Sequence, residues 1–153
     1  MRIIVQQQDF NVANEYQWLR KQGKSDGAIV TFTGLVRDFN QDCSVQGVFL
    51  EYYPGMTEKS LHDICEEAQS RWPVSAISVI HRVGQLGPNE QIVFVGVASK
   101  HRDSAFNGAA FIMDHLKTKA PFWKQELTQN GAVWVEAKPT DEKAALRWNT
   151  AQS

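Results

Sequence analysis

Gln91-Ile-Val-Phe-Val-Gly-Val-Ala-Ser99 carries no polar side chain between its ends. Successive strand residues point to opposite faces, so a strand built from this run is apolar above and below. That pattern belongs to the middle of a sheet covered on both sides. After Lys100-His-Arg102 the period changes. Phe106, Ala110, Met113 and Leu116 with Lys117 succeed one another at helical spacing over Ser104–Lys119, and Pro121 breaks the run. Asp103 or Ser104 is placed to cap this helix.

The same signatures recur on either side. Ala28–Val36 (Ala-Ile-Val-Thr-Phe-Thr-Gly-Leu-Val) is apolar and β-branched and reads as a second strand buried on both faces. Residues 2–5 form a first strand. Asn11 is placed to cap a helix carrying Val12, Tyr16 and Leu19, which Gly23-Lys-Ser-Asp-Gly27 stops. Asp38–Ser44 is a polar loop, Val45–Tyr53 a strand, and Pro54-Gly55 a turn. Thr57 then caps a helix to about Arg71, with Leu61, Ile64, Cys65 and Ala68 as its apolar stripe and Pro73 as its end. Ala76–Val83 is a strand and Gly84–Asn89 a Gly/Pro loop. Trp123–Thr128 and Ala132–Ala137 flank Asn130-Gly131, a strong hairpin signal. Thr140 caps a last short helix, with Asp141 and Glu142 in its first turn. The order βα, ββα, ββα, ββα predicts an α+β fold with mixed or antiparallel sheets.

The 153 residues make one domain, 1–153, large enough to bury about 70% of the unfolded surface without disulfides or metal. With 42% hydrophobic and 22% charged residues the chain is neither collagen-like nor disordered. No apolar run is long enough to span a membrane. The opening Met1-Arg-Ile-Ile-Val-Gln-Gln-Gln-Asp turns polar after three aliphatics, unlike a secretory leader. Cys43 and Cys65 have no CxxC spacing and read as free thiols in a reducing, cytoplasmic compartment, one on a loop and one on a helix. The net charge of −1 excludes a protein basic all over, as a histone-like polyanion binder is.

That neutral total hides segregation. From Ser99 to Lys124 stand Lys100, Arg102, Lys117, Lys119 and Lys124 against Asp103 and Asp114. From Glu51 to Ser70, Glu51, Glu58, Asp63, Glu66 and Glu67 face only Lys59, and most of these form a solvated helical face. His101 and Arg102 lie where a buried strand meets a helix N-terminus, whose free N–H groups and dipole suit a phosphate. A solvated basic pair is the plainer reading of the same residues. Lys117 and Lys119 are also dipole-favourable at the helix C-terminus. Pro121, Phe122 and Trp123 beside Lys124 suggest instead an apolar pocket lined by amines, where a lysine pKa falls and proton transfer becomes possible. Arg37, at the exit of the Ala28–Val36 strand, is a further candidate for that pocket. There is no G-x-G-x-x-G after a strand, no G-x-x-x-x-G-K-[ST] and no H-E-x-x-H, and the histidines at 62, 81, 101 and 115 form no metal pattern. Structural roles suit His62 and His81. Any catalysis therefore rests on Lys, Arg and His, with no metal or dinucleotide.

Taken together, Val30-Thr-Phe-Thr-Gly-Leu-Val-Arg37, Leu50-Glu-Tyr-Tyr-Pro-Gly-Met-Thr57, Val79-Ile-His-Arg-Val-Gly-Gln-Leu86, Gln91-Ile-Val-Phe-Val-Gly-Val97, His101-Arg102, Phe111-Ile-Met-Asp-His-Leu-Lys-Thr-Lys-Ala-Pro-Phe-Trp-Lys124 and Trp134-Val-Glu-Ala137 resemble the MoaE family. These are the large, catalytic subunits of molybdopterin synthase. The resemblance covers about residues 3–148 in the family's order and spacing, and the Lys-Thr-Lys-Ala-Pro-Phe-Trp-Lys block is its most specific part. It implies an α/β-hammerhead fold with an additional α+β subdomain. It further implies a homodimer of large subunits within a heterotetramer, each binding a small ubiquitin-like (MoaD-like) sulfur carrier through a C-terminal Gly-Gly thiocarboxylate. The implied activity is sulfur transfer in molybdenum cofactor biosynthesis: two sulfurs convert cyclic pyranopterin monophosphate (precursor Z) to the dithiolene of molybdopterin, with no metal and no cofactor in that step.

By the same resemblance Lys117 matches the lysine nearest the incoming tail and Lys124 the second pocket lysine. Arg37, His101 and Arg102 match basic residues of the substrate pocket, and Phe32 and Met113 match apolar contacts of the tail. The family pattern has an Arg in the segment after Trp-Val-Glu-Ala where this chain has Lys138, which keeps the charge and loses the bidentate fork. Three other readings stand beside this one. A non-catalytic module that docks a ubiquitin-like tail needs Phe32 and Met113 but not Arg37, His101 and Arg102 together. A persulfide carrier needs an activated thiol at Cys43 or Cys65. A nucleic-acid binder would use Phe122, Trp123 and Lys124 as a stacking platform, on thin local charge.

Overall fold

Two sheets share the chain, and its strands fall to one and the other in turn. The computed structural model describes residues 1–37, 39–40, 43–128, 131–135 and 139–149. In order these form β1 (Arg2–Gln6), α1 (Val12–Gln22), β2 (Ala28–Leu35), β3 (Phe39–Asn40), β4 (Cys43–Tyr52) and α2 (Met56–Arg71). Then come β5 (Val74–Arg82), β6 (Gly84–Leu86), β7 (Gln91–Ser99), α3 (Arg102–Lys119), β8 (Phe122–Thr128), β9 (Gly131–Val135) and α4 (Pro139–Leu146). The fold is α+β, as the alternation predicts. Two short strands, β3 and β6, go beyond that alternation: β3 forms from part of the expected loop Asp38–Ser44, and Gly84–Leu86 pairs with β4 rather than looping. Cys43 accordingly lies in a strand and not on a loop.

The first sheet has the order β1-β5-β7-β2, with β1 parallel to β5 and the other neighbours antiparallel. Its centre is covered on both faces. Val93, Val95 and Val97 of β7 pack with Leu61, Ile64 and Cys65 of α2 and Phe111, Ile112 and Leu116 of α3. On the other face Phe94 and Ala98 pack with Leu19 of α1. This two-sided burial is what the uninterrupted apolar run of β7 requires. For β2 the expectation of burial on both faces is not met: among the described residues it is an edge strand that pairs only with β7, and Phe32 and Leu35 are 43% and 49% exposed. An apolar sequence cannot distinguish a central strand from an edge whose free side is left for another surface.

Local contacts explain three further departures. On α1, Asn11 caps as expected, accepting from the Asn14 N–H at 3.1 Å. Yet Tyr16 is exposed and Glu15 buried, because Arg2 and the Ser78 hydroxyl both donate to the Glu15 carboxylate, at 2.9 Å each. On α2 the cap is Gly55 at φ 87°, a conformation glycine adopts freely, and its N–H donates to the Glu58 carboxylate at 2.9 Å. Thr57 sits in the first turn and is fully buried. Its hydroxyl accepts from Tyr53 N–H and donates to the Pro121 carbonyl, both at 2.9 Å, bracing the start of α2 against the α3–β8 connection. On α3 the cap position is His101 rather than Asp103 or Ser104, and α4 already begins at Pro139 rather than being capped by Thr140.

The second sheet runs β3-β4-β8-β9 with β6 also on β4, and all its pairings are antiparallel. Its own core is smaller: Val48, Leu50, Val83 and Leu86, joined by Val36. The hairpin expected at Asn130-Gly131 is present as the β8–β9 pair, with Gly131 at φ 107°. Asn130 and part of the expected second strand, Glu136 and Ala137, lie outside the described residues. Phe122 packs against the cores of both sheets and marks where they meet.

Candidate active site

At that junction lies a cavity of about 560 Å³. Three elements wall it, and each does so through its own periodicity. From α3 come Met113, Leu116 and Lys117, followed by Ala120, at the i, i+3, i+4, i+7 spacing of one helical face. From β8 come Phe122, Lys124 and Glu126, alternate residues and therefore one face of a strand. Their cross-strand partners continue the wall: Leu50 stands opposite Lys124, Val48 opposite Glu126, and Val135 of β9 on the far side of Lys124. The third wall is Phe32 to Arg37, where a register shift between Gly34 and Leu35 lets consecutive residues face the same space.

Lys117, Lys124, Arg37, Phe32 and Met113, five of the residues expected at the site, thus meet around one cavity. Lys117 is not enclosed in an apolar pocket. Its side chain is half-exposed, and its ammonium lies 3.9 Å from the carboxylate of Asp141 on α4. Lys138, the remaining lysine expected there, lies outside the described residues. His101 and Arg102 do not join this cavity within one chain. They stand exposed at the N-terminus of α3, nearly the whole helix away from Lys117, about 24 Å at ~1.5 Å per residue. The backbone there has the expected form, an extended His101 ahead of the first turn, and neither side chain caps it.

Three titratable wall residues escaped the sequence reading. Glu126 was recoverable, since strand alternation from Lys124 places it on the same face. Asp141 was noted only for its place in a helix first turn. His81 reads as structural in sequence, but it is a buried member of the cavity wall. Its ring stacks on Phe122 at 4.0 Å and 23°, and its Nδ1 lies 2.8 Å from the Arg82 carbonyl oxygen. Burial lowers its pKa to about 4 against the opposing pull of that hydrogen bond, so the imidazole is neutral near pH 7.

Elsewhere the chemistry is poorer. Cys65 is fully buried among apolar side chains, and desolvation pushes its thiol up to about 12, the opposite of an activated thiolate. The side chain of Cys43 lies outside the described residues. His62, Asp63 and Glu66 cluster on the exposed acidic face of α2, where Asp63 pairs with Lys59 and Glu66 with His62. Gly23-Lys-Ser-Asp-Gly27 has the spelling G-x-S-x-G, but it joins helix α1 to strand β2. A nucleophile elbow needs the reverse, strand to helix.

The α+β frame gathers Arg37, Lys117 and Lys124 around one cavity, an arrangement chemically able to hold small anions. The sequence model of the family described as "MoaE protein" matches residues 5–119. The chain is 55% identical over 147 residues to the molybdopterin synthase catalytic subunit of Escherichia coli, covering 96% of this chain and 97% of that one. The solved molybdopterin biosynthesis MoaE protein from Burkholderia ambifaria superposes with a TM-score of 0.84 at 45% identity, covering 97% and 98% of the two chains. A Helicobacter pylori structure, a complex of subunits 1 and 2 of molybdopterin-converting factor, shares the fold at a TM-score of 0.72 and 19% identity, covering 89% and 91%. The chain belongs to the MoaE family.

Proposed function

We propose that this chain is the catalytic subunit of a molybdopterin synthase. It transfers two sulfurs, one from the thiocarboxylated C-terminus of each of two small ubiquitin-like subunits in turn, to cyclic pyranopterin monophosphate, in the cytoplasm. One observation carries the reading: Lys117 and Lys124, from different elements, face one cavity whose remaining wall supplies Arg37 and the apolar pair Phe32 and Met113. The tail enters past Phe32 and Met113, and its thiocarboxylate is drawn to Lys117, which trades Asp141 for the incoming anion. The sulfur attacks a substrate carbon and the oxygen on that carbon leaves with a proton relayed by Lys117. Lys124 stabilises the developing negative charge, as a cation fixed in place before the reaction can. Water then cleaves the acyl–sulfur bond, returning the tail as a carboxylate.

Arg37 holds the phosphate, with Lys138 as a monodentate helper. His101 and Arg102 serve the same phosphate from a second copy, since the length of α3 keeps them from their own chain's cavity. The exposed edge β2 is a surface that a homodimer, or the small subunit, can cover.

The test is incubation with cyclic pyranopterin monophosphate and a thiocarboxylated small subunit, assaying for the dithiolene. Lys117→Ala should reduce turnover by about 10²–10⁴ while the fold and tail binding persist. Near-normal turnover overturns the assignment. Calorimetric binding of the pterin that is indifferent to its phosphate would favour a tail-docking module instead.

A further inference from the structure

On the face of β5 beneath α3, Ile77 and Val79 are fully buried, and the next residue in the row is His81. The pattern calls for an aliphatic there, and an imidazole is costly in such a place unless its polar atoms are used. One of them is. Nδ1 faces a carbonyl oxygen, which can only accept, so Nδ1 carries the ring proton and Nε2 carries the lone pair. The 4.0 Å stack on Phe122 fixes the ring's plane as the hydrogen bond fixes its tautomer. No hydrogen bond to Nε2 is found among the described residues, and His81 lines the cavity.

The charged groups of that cavity differ in kind from a neutral imidazole. Arg37, Lys117 and Lys124 only donate, Glu126 and Asp141 are carboxylates, and Asp141 is engaged by Lys117. The cations suit the phosphate and the thiocarboxylate. A heterocycle between those two anions also carries neutral N–H donors, and a carboxylate placed to accept from them would repel both anions. A neutral acceptor does not.

We propose that His81 is a substrate-binding residue that accepts a hydrogen bond through Nε2 from a ring N–H of the pterin. The inference rests on the pterin-phosphate reading of the same cavity and adds the group that recognises its heterocycle. Since burial holds this imidazole far less basic than usual, His81 orients the ring and leaves proton removal to other groups.

His81→Asn keeps a donor for the Arg82 carbonyl and deletes the distal acceptor, whereas His81→Gln puts an amide oxygen near the place of Nε2. Dithiolene formation is measured with the pterin phosphate varied and the thiocarboxylated small subunit saturating. His81→Asn should raise the KM for the pterin about tenfold, with the KM for the small subunit unchanged, and His81→Gln should restore most of it. A merely structural histidine would lower the melting temperature and the active fraction and leave the pterin KM alone. Folded His81→Asn with the wild-type pterin KM overturns the proposal, as does folded His81→Gln no better than His81→Asn. If His81→Asn does not fold, His81→Phe, which preserves the stack on Phe122, carries the same prediction. A wild-type protein that makes no dithiolene overturns the underlying reading instead.

Discussion

The two sheets of this molecule are put to different uses. The first is covered by helices on both faces, its central strands β5 and β7 are almost wholly buried, and most of its side chains hold the fold together. The second turns one face to a cavity, and its β8 residues are only partly buried, with Trp123 47% exposed. Here Lys124 and Glu126 occupy wall positions that the first sheet fills with valine. Packing around the first sheet supplies the stability that lets the second hold charge in a recess.

Substitution in the first region should therefore cost stability before activity. Phe111 is fully buried, with Trp72 and Trp148 each edge-on at 5.6 Å and the Arg71 guanidinium 4.8 Å from its ring centre. Phe111→Ala should destabilise the protein by about 3–5 kcal/mol, read as a fall in the urea midpoint. The Lys117→Ala change should alter the unfolding free energy by less than about 0.5 kcal/mol while nearly abolishing turnover. If the two variants lose stability alike, the division between the sheets fails.

His81 belongs to both regions, on a first-sheet strand yet in the cavity wall, and acid should expose that. Its ring titrates near 6.5 when unfolded and at about 4 when folded. Between those values the unfolded chain binds a proton that the native chain does not. Stability is therefore full above pH 6.5 and declines as the pH falls toward 4, by at most about 3 kcal/mol. Burial lowers the pKa of His115 too and adds in the same direction. Of the charged groups in the cavity wall, Arg37, Lys117 and Lys124 oppose protonation and Glu126 and Asp141 favour it, so desolvation decides the sign. Urea midpoints at pH 7 and pH 5 should differ more in the wild type than in His81→Gln. An equal difference would mean the imidazole is not held neutral.

The first sheet was the more legible of the two because burial writes itself into composition. Gln91–Ser99 is β7 residue for residue, since only a two-sided core tolerates such a run. The same rule misjudged β2, whose apolar residues face an unpaired edge that one chain cannot describe. In the second sheet β6 was hidden because three residues, the first of them a glycine, are too few to carry a period. At the site, Lys117, Lys124, Arg37, Phe32 and Met113 were legible through family resemblance, and local pattern alone left each with an ordinary solvated or packed alternative. His81 looks structural as a lone histidine in a core row, and its place in the cavity wall shows only once the fold is seen. The separation of His101 and Arg102 from Lys117 follows from helix length, and sequence proximity to the same helix concealed it.

The smallest effect should come from the contact that links the cavity to α4. The Lys117–Asp141 pair spans 3.9 Å, with the lysine side chain 52% and the aspartate 25% exposed. Water screens such a pair, and exposed ion pairs of this kind contribute about 0–1 kcal/mol. Asp141→Asn should therefore leave the urea midpoint nearly unchanged. Under the proposed mechanism the carboxylate competes with the incoming thiocarboxylate for the same ammonium, so the effect of its loss on function should be opposite in sign to that of Lys117→Ala. Removing it should tighten binding of the small subunit's tail by up to about fivefold, the equivalent of about 1 kcal/mol. Binding of the tail peptide by calorimetry, at two ionic strengths, checks this. The gain should shrink with added salt, since the competition it relieves is between charges partly open to water. A tenfold loss of binding would instead make Asp141 part of the tail's recognition, and the second sheet's cavity would then extend to α4 as a functional element.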